Sequence, residues 1–162
     1  MKTLHVLRHG QAVPEGEGLQ DHERPLTERG QNEVRLSARH LAQRPRPPSL
    51  ILSSSAARAR ATAEICLAAL PVAAVLTIVD ELYLAEPTRY LAELAAGADP
   101  HESVLVVGHN PGLEALVFVL SGRSEHLATA CLVEIDLSIS GWTKLSGATV
   151  AFGRLVDAFR PG

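Results

Sequence analysis

Hydrophobic residues along this chain fall into short continuous runs separated by longer stretches with helical spacing. Four runs are dominated by apolar residues, and they read TLHVL, SLILS, AVLTIV and SVLVV at residues 3–7, 49–53, 74–79 and 103–107. Continuous runs of this length are typical of strands covered on both faces, as in a parallel sheet. The pattern therefore predicts four buried strands.

The segments between these runs carry helix signals. The first helix is predicted after Thr27, a residue suited to an N-cap, because Val34, Ala38 and Leu41 fall on one helical face before the proline-rich segment 44–48. Three further helices are predicted from turn residues and spacing. The second helix begins near Ser55 and is stopped by Pro71, and the third runs from Pro87 to Gly97. The fourth has Asn110 as its N-cap and Pro111 as its first residue, and it ends at Gly122.

Strand and helix alternate along most of the chain, which predicts a layered α/β fold. The C-terminal part differs, because residues 131–156 alternate in the manner of strands around a glycine-containing turn, and a terminal β-hairpin is expected there. A length of 162 residues suits a single domain covering 1–162. The polar, glycine-rich segment 11–24 is predicted to be a loop of functional length.

Composition excludes several classes of protein. Hydrophobic residues make up 46% and charged residues 20%, the formal net charge is −3, and the chain holds two cysteines. No stretch approaches the roughly 18 apolar residues of a membrane span, and the start of the chain does not resemble a signal peptide. We expect a cytoplasmic protein without nucleic-acid or membrane partners, and with Cys66 and Cys131 as buried free thiols.

Polar groups follow three of the predicted strands. Arg8, His9 and Gly10 come after the first, serines 53–55 and then Arg58 after the second, and Gly108, His109 and Asn110 after the fourth. The carboxyl ends of strands in an open α/β sheet share one rim, where ligands bind. Three separate segments therefore predict one anion site at this rim.

Arg58 indicates which kind of anion the predicted site binds. Near the start of the second helix a cation is disfavoured by the helix dipole, unless an anion occupies the helix N-terminus. A phosphate suits several planar guanidinium groups better than a carboxylate does. The alternative is that Arg58 and Arg60 are solvated helix residues, and that His9 is a structural histidine.

Four segments together resemble the histidine phosphatase superfamily, which includes the phosphoglycerate mutases. They are LRHG at 7–10, DHERPLTERG at 21–30, SSSAARARAT at 53–62 and VVGHNPGLE at 106–114. The second is similar to the short SixA-type phosphohistidine phosphatases. The third matches Ser54, Arg58 and Thr62 to a family segment, although the usual proline after that serine is Ser55 here. The resemblance implies a three-layer α/β/α fold with a mostly parallel sheet.

The resemblance also implies roles for individual residues. His9 would be the nucleophile that forms a phosphohistidine intermediate, and Arg8, Arg24, Arg58 and His109 would hold the phosphate. The neighbouring arginines would discourage protonation of His9. No metal or other cofactor is required.

The general acid is open at this stage. Asp21 matches an aspartate of the SixA branch and is the favoured candidate, with Glu81 and Glu86 as alternatives. His22 and Glu23 are expected to be solvated loop residues. The remaining histidines, which have no zinc-type spacing and are expected to be structural, are His5, His40, His101 and His126.

The expected function is dephosphorylation of phosphohistidine on a partner protein, because the short chain leaves little sequence for a cap domain. Two alternatives stay open: a small-molecule phosphomonoesterase of the same superfamily, and a catalytically weak phosphate-binding or interaction module. A mutase is disfavoured, because no large lid insertion is evident to exclude water from a phosphoenzyme.

Overall fold

The computed structural model of the chain describes residues 1–16, 18–146 and 153–162, which contain six strands and four α-helices. The strands are β1 (Lys2–Arg8), β2 (Leu50–Ser54), β3 (Val75–Val79), β4 (Ser103–Gly108), β5 (Leu132–Leu137) and β6 (Gly153–Phe159). The helices are α1 (Glu28–Ala42), α2 (Ala57–Ala69), α3 (Pro87–Gly97) and α4 (Gly112–Ser121).

All six strands form one sheet in the order β3-β2-β4-β1-β5-β6. Strands β1 to β4 pair in parallel, whereas β5 pairs antiparallel with both β1 and β6. Only β5 therefore runs against the others among the described strands. The predicted mostly parallel sheet is confirmed.

Helices cover both faces of this sheet, because successive strand residues point to opposite sides. Leu4 and Val6 of β1 pack with residues of α3 and α4 in one buried cluster, whereas Leu7 packs with residues of α1 and α2 in the other. The result is the expected three-layer α/β/α arrangement. The two cores hold the carboxyl ends of β2, β4 and β1 next to one another.

Strand prediction failed in one detail. The residues of β2 and β4 are all buried, as continuous apolar runs indicate. Strand β3, by contrast, is half exposed, and Val75 is 57% exposed. Its position at the edge of the sheet is the reason, because only β2 pairs with it.

The predicted helix starts were correct for α1 and α3, and the predicted N-caps of α2 and α4 were each one residue early. The Thr27 hydroxyl caps α1 by accepting from Gly30 N–H at 2.9 Å, and Pro87 is the first residue of α3. Helix α2 is preceded by Ala56 rather than Ser55 as its N-cap. Helix α4 is preceded by Pro111 as its N-cap, and the Asn110 side chain does not cap it: its amide donates to Leu127 O and its Oδ1 has no partner among the described residues.

The expected C-terminal pair of antiparallel strands is present as β5 and β6. The connection between them is longer than a tight turn and contains a 3-10 segment, Trp142–Leu145, whose two end residues are buried. Residues 147–152, which include the predicted glycine turn, lie outside the described residues. Cys66 and Cys131 are buried free thiols, as predicted. None of the four described helices is long and apolar enough to cross a membrane.

Candidate active site

The carboxyl ends of β1, β2 and β4 open into a cleft of about 480 Å³. The segments that were expected to meet at one rim do meet there, because these three strands are neighbours in the sheet. The cleft is lined by Arg8, His9, Gln11, Ala12, Glu15, Asp21, Arg24, Arg58, Leu84, His109, Asn110 and Thr129. Every residue that the sequence assigned to the phosphate site is in this set.

His9 directs one ring nitrogen into the cleft. Its Nδ1 lies 2.7 Å from the carbonyl of Gly10, an acceptor only, so Nδ1 carries the proton. The other nitrogen, Nε2, is therefore unprotonated, and its lone pair accepts from Nε–H of Arg58 at 3.4 Å. Burial, together with the charges of Arg58 and Arg8, lowers the pKa of His9 to about 4. The ring is therefore neutral at neutral pH, with its unprotonated nitrogen in the cleft.

Arg58 is the central cation of the cleft. It is 2% exposed and lies in the first turn of α2, as predicted from the sequence. Its guanidinium donates to the main-chain oxygen of Asp21 at 2.8 Å and to the carboxylate of Asp21 at 3.1 Å, and lies 3.5 Å from Nδ1 of His109. Burial rules out the alternative in which Arg58 is a solvated helix residue; Arg60, by contrast, is exposed.

His109 faces His9 across the cleft, with their ring centroids 5.2 Å apart. Its Nε2 lies 2.7 Å from the Ser54 hydroxyl, which also accepts from Ala56 N–H. Burial and the nearby His9 and Arg58 lower the pKa of His109 to about 3. The Ser54 hydroxyl can donate or accept and so suits either neutral tautomer of His109, whereas the nearby Nη2 of Arg58 can only donate and favours the tautomer in which Nδ1 accepts.

Two other residues hold the strand ends in place. The Thr62 hydroxyl donates to Arg58 O at 2.7 Å and accepts from Gly10 N–H at 3.1 Å, which links α2 to the end of β1. Gly10 itself is required by packing, because a Cβ there would lie 2.7 Å from Val34 and 2.8 Å from Gly30 O, both in α1.

Arg8 reaches the cleft from the last position of β1. Its Nη1 donates to the carbonyl of Leu127 at 3.0 Å, whereas its Nε is buried without a partner among the described residues. Partial burial lowers the pKa of the guanidinium from its ordinary value, which is high enough that the group stays charged. Arg8 is therefore a cation held at one point with its remaining donors available.

Asp21 lies in a 3-10 turn, Asp21–Glu23, that packs beside α2. Its carboxylate accepts hydrogen bonds from Tyr83 Oη, from Nε of Arg24 at 3.0 Å and from Nη2 of Arg58 at 3.1 Å. These donors, Tyr83 first, hold the pKa of Asp21 far below its usual range. Arg24 also donates to Val13 O at 2.9 Å. Asp21 is thus an ionised acceptor that ties two arginines together.

His22 is not the solvated loop residue that was expected. Its Nε2 lies 2.9 Å from the Ser55 hydroxyl, and its ring meets Tyr83 edge-on with centroids 4.8 Å apart. Ser55 stands where the family pattern usually has proline, and here it anchors the turn that carries Asp21. Glu23 is exposed, as expected.

Sequence reasoning missed several residues that line the cleft or contact its lining. Tyr83, which contacts both Asp21 and the edge of His109, lies just after the turn that follows β3. Tyr90 of α3 was not among the predicted site residues, although its hydroxyl accepts from His109 N–H. A sequence signal existed for it, because Gly108 leaves the space that this hydroxyl fills. Glu15, Leu84 and Thr129 gave no signal.

The two alternative acids lie outside the cleft. Glu81 and Glu86 are both exposed, and neither is among the residues that line it. The other histidines are structural, as expected. His5 is fully buried and bonds to Arg46 O and Ser103, His40 pairs with Asp157, His101 with Ser49, and His126 with Glu114. No group of three metal-ligating side chains occurs within the described parts of the chain.

Comparison with known proteins agrees with this geometry. Residues 4–83 match the model of the histidine phosphatase superfamily (branch 1). An uncharacterised protein of Mycobacterium tuberculosis is 35% identical over 119 residues, which cover 73% of this chain and 72% of the relative. The matched family segment contains His9, Asp21, Arg24 and Arg58.

Solved structures extend the likeness over the whole chain, including His109. The crystal structure of a proposed phosphohistidine phosphatase SixA from Agrobacterium tumefaciens is 30% identical, with a TM-score of 0.82 and 99% of both chains covered. The protein histidine phosphatase SixA complexed with tungstate is 25% identical, with a TM-score of 0.80 and 98% and 97% covered. This chain therefore belongs to the histidine phosphatase superfamily, in its SixA-type branch, and is a phosphatase.

Proposed function

We propose that this phosphatase hydrolyses phosphohistidine on a partner protein through a covalent phosphohistidine intermediate on His9. One observation carries the mechanism. The lone pair of His9 Nε2 faces the guanidinium of Arg58 inside the cleft, while Nδ1–H is fixed by Gly10 O. A neutral imidazole is thus aimed at the place where a bound phosphoryl group would lie.

In the first step, Nε2 of His9 attacks phosphorus and the bond from phosphorus to the substrate nitrogen breaks. The departing nitrogen keeps the electron pair of that bond. In the second step, water attacks phosphorus, the bond to Nε2 breaks, and inorganic phosphate leaves with the water oxygen. The covalent intermediate divides one displacement into two, and the same guanidinium groups serve both.

The phosphoryl oxygens would be held by Arg8, Arg24, Arg58 and His109. The three arginines supply planar donors that suit a phosphoryl group, and they lie around the cleft before substrate arrives. Donors already in position need no reorganisation when charge develops in the transition state. His109 would contribute through its other neutral tautomer, in which Ser54 donates to Nε2 and Nδ1 donates to the phosphate.

The source of the proton for the leaving group differs from the expectation that Asp21 is the general acid. Asp21 was the favoured acid, but its three donors keep it ionised, and an ionised carboxylate has no proton to give. We assign it instead to the positioning of Arg24 and Arg58. A phosphohistidine substrate needs no strong acid, because its ring can arrive protonated on the second nitrogen and leave as neutral imidazole.

Two observations support a protein substrate. The SixA-type relatives are phosphohistidine phosphatases by name. One of them is bound to tungstate, a tetrahedral oxyanion that resembles phosphate in shape and charge. In addition, the rim of the cleft carries Leu84, which is 57% exposed and offers an apolar contact at the mouth.

A second candidate is a small-molecule phosphomonoesterase. The cleft volume of about 480 Å³ falls within the range of small-ligand sites and favours this candidate. A metabolite substrate, however, has an alkoxide leaving group, which needs a proton that Asp21 does not supply.

The test is a kinetic comparison of the two substrate classes. A phosphohistidine-bearing carrier domain and a panel of sugar and nucleotide monophosphates are assayed for kcat/KM with the same enzyme preparation. We expect the carrier domain to exceed each metabolite by at least about a hundredfold. A metabolite that surpasses the carrier domain by that margin would establish the second candidate instead.

A further inference from the structure

Leu127, which lies in the connection between α4 and β5, joins two residues of the cleft through one carbonyl oxygen. This oxygen accepts from Nη1 of Arg8 at 3.0 Å and from the side-chain amide of Asn110 at 2.7 Å. Both donors line the cleft. The direction of a single peptide group therefore affects how two side chains are presented to a ligand.

Glu114 holds the neighbouring peptide group, the one that joins residues 126 and 127 and carries the Leu127 N–H. One carboxylate oxygen of Glu114, Oε2, accepts from Leu127 N–H at 2.9 Å and lies 3.1 Å from Nδ1 of His126. Glu114 is in the first turn of α4, a helix whose start follows directly on the segment that carries His109. Glu114 and Arg8 thus bond to the two successive peptide groups that flank the Leu127 Cα, so the backbone of Leu127 links them.

Arg8 has little else to fix its guanidinium. Within the described residues, the bond to Leu127 O is the only hydrogen bond that its side chain makes, and its buried Nε has no partner. By contrast, Arg58 bonds to Asp21 at two points and approaches two histidines. The orientation of Arg8 therefore depends on where the Leu127 carbonyl points.

We propose that Glu114 is a positioning residue, which acts through the backbone of Leu127 to aim the Arg8 guanidinium at the bound oxyanion. The inference rests on the proposed function, in which Arg8 holds a phosphoryl oxygen. It assigns to a residue outside the cleft a role in anion binding and turnover.

The direction in which anion affinity changes when Glu114 is replaced separates this positioning role from a direct electrostatic one. A carboxylate near a phosphate site weakens anion binding through its charge, so its removal by charge alone would tighten binding. Loss of the anchor acts in the opposite direction, because a misdirected Arg8 binds the anion less well. Glu114→Gln removes the charge but keeps an oxygen that accepts from Leu127 N–H, whereas Glu114→Ala removes both.

The experiment measures the affinity for orthovanadate and kcat/KM for a phosphohistidine-bearing domain. Glu114→Ala, Glu114→Gln and the control Glu125→Ala are each made in the wild-type and Arg8→Ala backgrounds. Glu125 is a matched control, because it lies in the same connection and pairs with Arg160 at 2.7 Å, away from the cleft. Melting temperatures are recorded for every variant.

We expect Glu114→Ala to weaken vanadate binding about tenfold in the wild-type background and less than twofold when Arg8 is already alanine, because coupled residues give non-additive effects. Glu114→Gln and Glu125→Ala should stay within threefold of wild type.

If Glu114→Ala does not fold, loss of vanadate binding in a folded Glu114→Gln protein overturns the proposal. An equal loss in both backgrounds, or tighter binding in Glu114→Ala, also overturns it. Failure of the wild-type protein to bind vanadate would instead count against the proposed function.

Discussion

Replacement of Arg58 tests the phosphate site at its most buried cation. Arg58→Ala removes a guanidinium that is 2% exposed, whereas Arg60→Ala removes one from the same helix whose side chain is 57% exposed and lies 3.7 Å from Glu64. The two substitutions are chemically identical. They differ only in which side of α2 they affect.

The expected loss of kcat/KM in Arg58→Ala follows from the donors of this side chain that face the cleft. Nε of Arg58 lies 3.4 Å from His9 Nε2, and Nη2 lies 3.5 Å from His109 Nδ1, so both are placed for oxygens of a phosphoryl group bound between the two rings. Each charge-assisted hydrogen bond contributes about 1.5–3 kcal/mol. Loss of two costs about 3–6 kcal/mol in the transition state, or roughly 10²–10⁴ in kcat/KM.

The assay is kcat/KM on a phosphohistidine-bearing domain, with circular dichroism melts to verify folding. Arg58→Lys is a third variant that keeps the charge but not the planar fork, and we expect an intermediate loss. A folded Arg58→Ala protein with less than tenfold loss would refute the reasoning. So would a loss in Arg60→Ala that equals the loss in Arg58→Ala.

Three further predictions concern His9, Asp21 and metals. Because burial lowers the pKa of His9 to about 4, its ring nitrogens should titrate by NMR with a midpoint near pH 4; a midpoint near 6.5 would contradict the burial argument. Asp21→Asn should tighten the binding of inorganic phosphate about tenfold, because the carboxylate competes with phosphate for Arg24 and Arg58. It should also lower kcat, because Asp21 positions these two arginines. Weaker phosphate binding in a calorimetric titration would contradict this prediction. Turnover should not change in EDTA, and restoration by added divalent metal would point to another mechanism.

Much of the fold was predictable from local signals. Buried parallel strands leave continuous apolar runs, and Thr27, Pro87 and Gly122 mark helix ends by chemistry that acts within a few residues. The exposed strand β3 was not predictable, because its apolar run does not reveal which strands stand at the edge of a sheet. The N-cap of α4 was predicted one residue early, and the Asn110 side chain bonds to a distant carbonyl rather than to its own helix.

The cleft was predictable where a residue stands directly at a strand end. His9, Arg58 and His109 follow β1, β2 and β4, so sheet topology alone brings them together. The state of Asp21 was not predictable, because it depends on Tyr83, which is 62 residues away in sequence. For the same reason, the hydrogen bond between His22 and Ser55 could not be foreseen from a loop sequence.

The central claim is that His9 carries the phosphoryl group during turnover. The most direct measurement is mass spectrometry of enzyme quenched during turnover of a phosphohistidine-bearing domain, with His9→Asn as the control. The account predicts an acid-labile phosphoryl adduct on His9 that forms and decays at rates compatible with kcat and is absent from the inactive control. Turnover without an adduct, or an adduct on another residue with full activity in His9→Asn, would contradict it.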